Sequence, residues 1–257
     1  MARHTGISSR TPVVRSEVRK GNDCLSALSS HALSLLRPYL TEIVFPEGSI
    51  LWDSRKLSPE VYFPVSGLIS IILHVSDGIS VEVGNVSRQA AAGAIFEPGQ
   101  VDFCTQGVVQ LGSSFIRMPG SKLFFAAKEN SEIENLVNYC RDWILMQSQQ
   151  MAACNAAHSA DKRFCRWLFQ VSERMETDAV YLTQEMIASL LAIRRTTVTL
   201  IAQKLQAEGL IQYRRGKIAI LDQARLRVAA CECCNSLSHQ HWPSTRLLNA
   251  NALKLRE

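Results

Sequence analysis

The chain has 257 residues, 47% of them hydrophobic and 20% charged, long enough for two modest domains and too apolar for an extended disordered protein. No apolar run reaches the roughly 18–20 residues of a membrane-spanning helix, and residues 1–20 carry basic side chains without an apolar stretch, so a basic tail on a cytoplasmic protein is expected. The net charge of +5 is concentrated: residues 159–227 hold 12 Lys and Arg against 7 Asp and Glu, as expected if that segment alone meets a polyanion.

From about residue 40 to 120 the pattern is one of short strands broken by turn signals. TEIVF runs into Pro46-Glu47-Gly48, SILW into Asp53-Ser54-Arg55, and VYFPVSGLISIIL carries Gly67. SVEVGNV follows the hairpin dipeptide Asp77-Gly78, and Gly107 separates VDFCTQ from VVQLGSSFIRM. Closely spaced strands of this kind predict an antiparallel sandwich or barrel.

The pattern changes at residue 129. No Gly or Pro occurs between Glu129 and His158, and Ile133, Val137, Cys140, Ile144, Gln147, Met151 and Cys154 recur at alternating intervals of four and three. This heptad stripe predicts a helix of about 45 Å, longer than a small domain needs. Its spacing is nearer 3.5 than 3.6, so the stripe is expected to be the seam of a homodimer, with Gln147 setting register; packing along the chain's own β domain is the alternative. A second amphipathic helix follows Ser159, with Phe164, Trp167, Leu168 and Val171 on one face, and ends before Thr177-Asp178.

Thr183 is then a good N-cap for a short helix with Met186, Ile187, Leu190 and Leu191 on its apolar face. Ala192-Ile193 interrupts the pattern, and a new helix runs from about Arg194 to Glu208 with Val198, Ile201, Ala202 and Leu205 inward and Gly209 as its stop. Two short helices joined by a tight turn, the second opening on Arg-Arg-Thr-Thr, suit insertion of a helix N-terminus into a DNA major groove. LIQYRRGKIAIL adds a hairpin whose tip carries Arg214, Arg215 and Lys217, cations placed to meet phosphate. The combination is a winged helix.

Residues 182–221, LTQEMIASLLAIRRTTVTLIAQKLQAEGLIQYRRGKIAIL, resemble the DNA-binding segment of the Crp/Fnr family of bacterial regulators. FPEGSILW followed by VYFPVSGLISI resembles that family's β-roll, and the helix at 129–158 its dimerisation helix. The resemblance implies an α+β chain: a flexible tail at 1–22, an antiparallel, cyclic-nucleotide-binding-like β-roll at 23–128, a dimerisation helix at 129–158, a winged helix-turn-helix at 159–230 and a tail at 231–257. It implies a homodimer on double-stranded DNA with a near-palindromic operator, and admits RNA polymerase and a small-molecule effector as partners. Arg195 falls where the family reads guanine, a choice explained by arginine's bidentate fit to O6 and N7. Thr196, Thr199 and Leu200 join it as base-reading positions; Thr183, Arg194, Thr197, Arg214, Arg215 and Lys217 are assigned to phosphate. Thr196 and Leu200 depart from the best-known pattern, which has glutamate and arginine there, so a different operator is expected. Leu200 lies nearly opposite the core face, where an apolar side chain suits a thymine methyl or is simply exposed.

Cyclic-nucleotide-binding relatives place a Gly-Glu pair and a later Arg-Ser or Arg-Thr pair around the ligand. Here Ala94 follows Gly93, no Arg or Lys occurs between Arg88 and Arg117, and Glu97 and Asp102 are acidic, which argues against cyclic AMP. Cys24 alone cannot hold an iron–sulfur cluster of the family's N-terminal type. The other cysteines (Cys104, Cys140, Cys154, Cys165, Cys231, Cys233 and Cys234) are expected to be reduced, and no cofactor or metal is expected. Cys231, Cys233 and Cys234 with His239 and His241 suit zinc by type but not by spacing, and read as a helix end entering a tail. An enzyme is not expected, since His74 is the lone histidine of the β region. A ligand-binding adaptor whose winged helix contacts protein is the competing function, disfavoured by the basic wing tip.

Overall fold

The computed structural model describes residues 11–12, 21–53, 60–75, 79–93 and 105–234. Two short helices, α1 (Asp23–Ala27) and α2 (Ser30–Leu36), lie between the short first strand and the rest of the sheet. Each is started by a side-chain cap: Asn22 accepts from the N–H groups of Cys24 and Leu25, and Ser29 from that of Ala32. A strand-dominated reading of the sequence anticipates neither helix. Their capping residues are the visible signal.

Among the described residues, nine strands have the expected antiparallel pattern: β1 (Thr11–Pro12), β2 (Thr41–Phe45), β3 (Ile50–Trp52), β4 (Glu60–Pro64), β5 (Leu68–His74), β6 (Ser80–Val86), β7 (Ala92–Gly93), β8 (Thr105–Leu111) and β9 (Ser113–Pro119). They form two sheets, ordered β1-β2-β9-β4-β7 and β3-β8-β5-β6. In the core that the sheets and their covering helices form, Phe63, Ile69, Phe115, Ile116 and Met118 are fully or almost fully buried. Asp77 and Gly78 lie outside the described residues, but β5 and β6 pair up to His74 and Ser80 on either side, with a register shift between Ile71 and Ile72. Gly107 is not a separator. It sits within β8 opposite Trp52, and a Cβ there would lie 2.2 Å from the indole ring. His74 is occupied at the strand ends by Ser80 and Gln106.

The long helix is interrupted at its start. Helix α3 (Gly120–Glu129) ends at Asn130, whose side chain accepts from the N–H groups of Glu132 and Ile133 and so begins α4 (Ser131–Ala157). The expected dimer seam is corrected here. Ile133, Val137, Cys140, Gln147, Met151 and Cys154 are buried within this one chain, and Ile144 is half-buried. Ile133, Val137, Cys140 and Trp143 belong to the β-roll core, and Gln147 donates from Nε2 to the Asn85 carbonyl at 2.7 Å. The period holds but the phase differs: the most apolar stripe is taken by the chain's own sheet, because intrachain burial needs no association step. A second stripe at alternating spacings of four and three, Asn138, Asp142, Leu145, Gln149, Ala152 and Ala156, remains exposed.

Helix α5 (Ala160–Met175) ends in a left-handed Glu176. Helices α6 (Gln184–Leu191) and α7 (Arg195–Ala207) follow, then α8 (Gln223–Ala229). A three-stranded sheet of β10 (Ala179–Tyr181), β12 (Lys217–Ile220) and β11 (Ile211–Arg214) completes the domain; β10 goes beyond the expected two-stranded hairpin. Val198, Ile201, Ala202 and Leu205 face inward from α7 as their spacing requires. Among the described residues no helix is long and apolar enough to cross a membrane.

Candidate nucleic-acid interface

The α6–α7 turn is built by local chemistry. Thr183 caps α6 by accepting from the Met186 N–H at 3.2 Å, and Ala192 takes a left-handed conformation with φ 51°. That reversal lets the Ile193 N–H close on the Ala188 carbonyl at 3.0 Å, so α7 starts at once in a new direction. Gly209, with φ 70°, stops α7 at its other end.

The first turn of α7 points outward. Arg194, Arg195 and Thr196 are exposed, Thr197 is half-buried, and Leu200 is 67% exposed on the outer face. Arg195 lies 3.8 Å from the Glu185 carboxylate, and both side chains are largely in solvent, so the pair holds the guanidinium only weakly. Thr199 is placed differently: its hydroxyl lies 2.9 Å from Gln184 Oε1 and 3.1 Å from the Arg195 carbonyl, linking the two helices. Beside α7 the wing turns through Arg215 and Gly216, with φ 52° and 76°, between paired Arg214 and Lys217. All three wing cations are exposed, and Lys217 Nζ stands 5.5 Å from the centre of the Tyr181 ring. Two positive φ values in a two-residue loop match the right-handed twist of the strands.

Helix and wing enclose an open cleft of about 450 Å³ lined by Thr183, Gln184, Glu185, Arg195, Tyr213, Arg215 and Gly216. Sequence reasoning misses Tyr213. Its hydroxyl donates to the Leu182 carbonyl at 2.8 Å, and its N–H donates to Gln206 Oε1 at 2.8 Å, which sets the wing against both helices. Only the tertiary fold brings residues 182, 206 and 213 together.

The domain carrying this surface is docked on the β-roll. Leu68 and Leu111 of the sheet share a core with Phe164, Trp167 and Leu168 of α5. At the joint Glu82 is 1% exposed, accepting from the Ser70 hydroxyl at 2.6 Å, Asn85 Nδ2 at 2.7 Å and Trp167 Nε1 at 3.1 Å. Arg174 donates to Asn85 Oδ1, and Arg88 bridges Asp23 and Glu176. Burial raises the Glu82 carboxyl above its ordinary 4.5, outweighing these donors and the nearby Arg166. An acid raised on folding contributes stability that is complete below its unfolded pKa and is lost as pH rises through the folded value. Relative to Glu82→Gln, the parent's melting midpoint should therefore lose ground as pH rises above 4.5; equal pH dependence in both proteins contradicts this. Of the expected effector region, Ala94, Glu97 and Asp102 lie outside the described residues.

An outward helix N-terminus, a basic wing beside it and a β-roll joined to both by a long helix define a winged helix-turn-helix domain carried on a β-roll. Residues 162–229 match the family model described as a Crp-like helix-turn-helix domain. Similar solved structures include FixK2 from Bradyrhizobium japonicum, at 16% identity over 75% of this chain and 98% of that one, with a TM-score of 0.64. TTHB099, a CRP-family transcriptional regulator from Thermus thermophilus, is similar at 18% identity over 73% and 96%, TM-score 0.61. TTHA1359, a CRP/FNR-family regulator from the same organism, is similar at 18% over 74% and 97%, TM-score 0.59. No curated protein matches the sequence. Residues 162–229 thus form a Crp-like helix-turn-helix domain, and the chain as a whole has the fold that those structures share.

Proposed function

We propose that this regulator binds double-stranded DNA sequence-specifically as a homodimer, reading a near-palindromic operator with Arg195 and its neighbours on α7. The observation that carries the reading is the exposure of Arg194, Arg195 and Thr196 at the start of α7, flanked by the wing cations Arg214, Arg215 and Lys217. In this reading Arg195 takes a guanine, Thr196 and Leu200 contact neighbouring base edges, and Thr183, Arg194, Thr197 and the wing hold phosphates. Thr199 supports α6 and α7 more than it reads bases, since Gln184 already engages its hydroxyl.

The exposed heptad stripe on α4 supports pairing of two chains. Leu145 is 55% exposed at its centre, and Ala152 and Ala156 allow close approach farther along. Two α7 helices would then meet half-sites about 34 Å apart. The protein is placed in the cytoplasm and is not an enzyme; its effector is not cyclic AMP, and RNA polymerase is a further partner at the promoter.

Four cations per chain are assigned to phosphate, so a dimer neutralises up to eight. Between 50 and 200 mM salt the affinity for an operator selected from genomic fragments should fall by about 10³-fold or more. Binding that ignores salt, or that is equally tight on a single half-site, rules the dimeric DNA reading out.

A further inference from the structure

We propose that Cys154, His158, Cys231 and Cys233 bind one Zn²⁺ ion as a closed four-ligand site. Cys154 and His158 stand one turn apart at the C-terminal end of α4, and His158 is the residue that ends the helix. Cys231 and Cys233 follow α8 and fold back onto that end. The four ligand atoms, three sulfurs and one imidazole nitrogen, all lie within 4.8 Å of one another. Cys154 Sγ is 3.5 Å from Cys231 Sγ, and Cys233 Sγ is 3.3 Å from His158 Nε2. A tetrahedral zinc site, with Zn–S near 2.3 Å and Zn–N near 2.0–2.1 Å, has ligand-to-ligand edges of about 3.6–3.8 Å. The cluster therefore needs only small side-chain adjustments to surround an ion.

The donor set selects the metal. Three thiolates and an imidazole suit a borderline-soft ion of tetrahedral preference and disfavour calcium or magnesium. All three cysteines are buried and His158 is partly so, the arrangement of a structural site rather than one with an open catalytic position. Charge agrees. Zn²⁺ with three thiolates and a neutral histidine carries one net negative charge. Beside it Arg166 is 1% exposed, donating to Gln170 Oε1 at 3.1 Å and Met151 Sδ at 3.4 Å, while its Nε has no partner. Among the described residues no carboxylate lies within ion-pair distance of that guanidinium. Glu82 attracts this buried cation without pairing with it, and the anionic metal complex would add a second counter-charge.

The carboxylate of Glu232, 3.5 Å from His158 Nε2 and largely exposed, would give up that contact when the nitrogen binds metal. A Cys154–Cys231 disulfide is the rival use of the cluster. It requires an oxidant and leaves Cys233 and His158 without a role, and reducing compartments disfavour it. His239 and His241 lie outside the described residues, and Cys234 packs into the winged-helix core instead. The site joins the far end of α4 to the far end of the winged helix across the Ala157–Ala160 connection. If that domain binds DNA as proposed above, the ion holds its orientation; metal binding itself does not depend on that reading.

The test uses the full chain, purified without a histidine tag under reducing conditions. Elemental analysis should give one zinc per chain, and Co²⁺ replacement should give the visible bands of a tetrahedral site with a thiolate-to-metal charge-transfer band. Cys154→Ser and Cys233→Ser should bring the stoichiometry close to zero, whereas Cys234→Ser should leave it unchanged. Stripping the ion from the unmutated chain should lower its melting temperature, a readout that needs no variant to fold. The proposal is overturned by a zinc content near zero after incubation with excess Zn²⁺, by an octahedral Co²⁺ spectrum, or by equal loss of metal in Cys234→Ser. Mass spectrometry showing a Cys154–Cys231 disulfide in protein prepared without oxygen overturns it as well. Loss of DNA affinity without loss of metal counts against the DNA reading alone.

Discussion

Replacing Arg195 by alanine should cut the preference for the cognate operator over scrambled DNA by about 5- to 150-fold, equivalent to about 1–3 kcal/mol for one lost bidentate contact per site. The guanidinium stands at the first position of α7, in solvent, held only by a 3.8 Å approach to Glu185. Its removal should leave the fold intact, so the loss reports recognition. Arg215→Asn should behave differently. Arg215 occupies a left-handed turn position with φ 52°, a conformation asparagine tolerates better than arginine. The variant should keep the turn, gain a little stability and remove the phosphate contact proposed for Arg215. Affinity should fall by a similar factor on every sequence, and the salt slope should shrink by about one. Competition gel shifts on cognate and scrambled duplexes separate the two. Identical profiles for both variants would falsify the division between base reading and phosphate contact.

Gly107→Ala should destabilise the β-roll by about 1–3 kcal/mol, the range for overpacking a filled core, and lower the melting temperature by several degrees. The added methyl would lie 2.2 Å from two carbons of the buried Trp52 ring. Gly84→Ala is the matched control in β6. Its methyl would meet Gln147 Cβ at 3.5 Å and Ile71 Cδ1 at 3.9 Å, ordinary contact distances. Calorimetric scans of the two proteins should therefore differ clearly. A Gly107→Ala protein that melts with the parent would show that Trp52 is not packed over β8 as described.

These outcomes bear on different parts of the molecule. The Arg195 and Arg215 variants probe a surface, where stability is nearly untouched and partner chemistry decides the result. The Gly107 variant probes a core contact that no partner sees. Glu82 lies between, in the joint that couples the β-roll to the DNA-binding domain through Trp167.

Much of the DNA-binding domain was legible in the residues because its signals are local. Thr183 caps a helix within three residues of itself, Gly209 ends one, and the Val198/Ile201/Ala202/Leu205 spacing has only one inward face. The string of strands was legible for the same reason, from turn residues and apolar runs. Capping at Asn22, Ser29 and Asn130 is equally local and could have been found.

Other features had no local expression. Helix α4 carries two heptad stripes, and periodicity alone cannot say which one the chain's own sheet will cover; packing against the β-roll decided that. Gly107 has the residue type of a turn, and only the Trp52 ring packed over it makes it a core position. Cys154 and Cys231 are 77 positions apart, and their 3.5 Å approach follows from how the winged helix docks, not from any spacing a sequence can display. Short-range hydrogen bonds and side-chain periodicity made the elements readable, whereas packing between distant segments chose their partners and assembled the cluster.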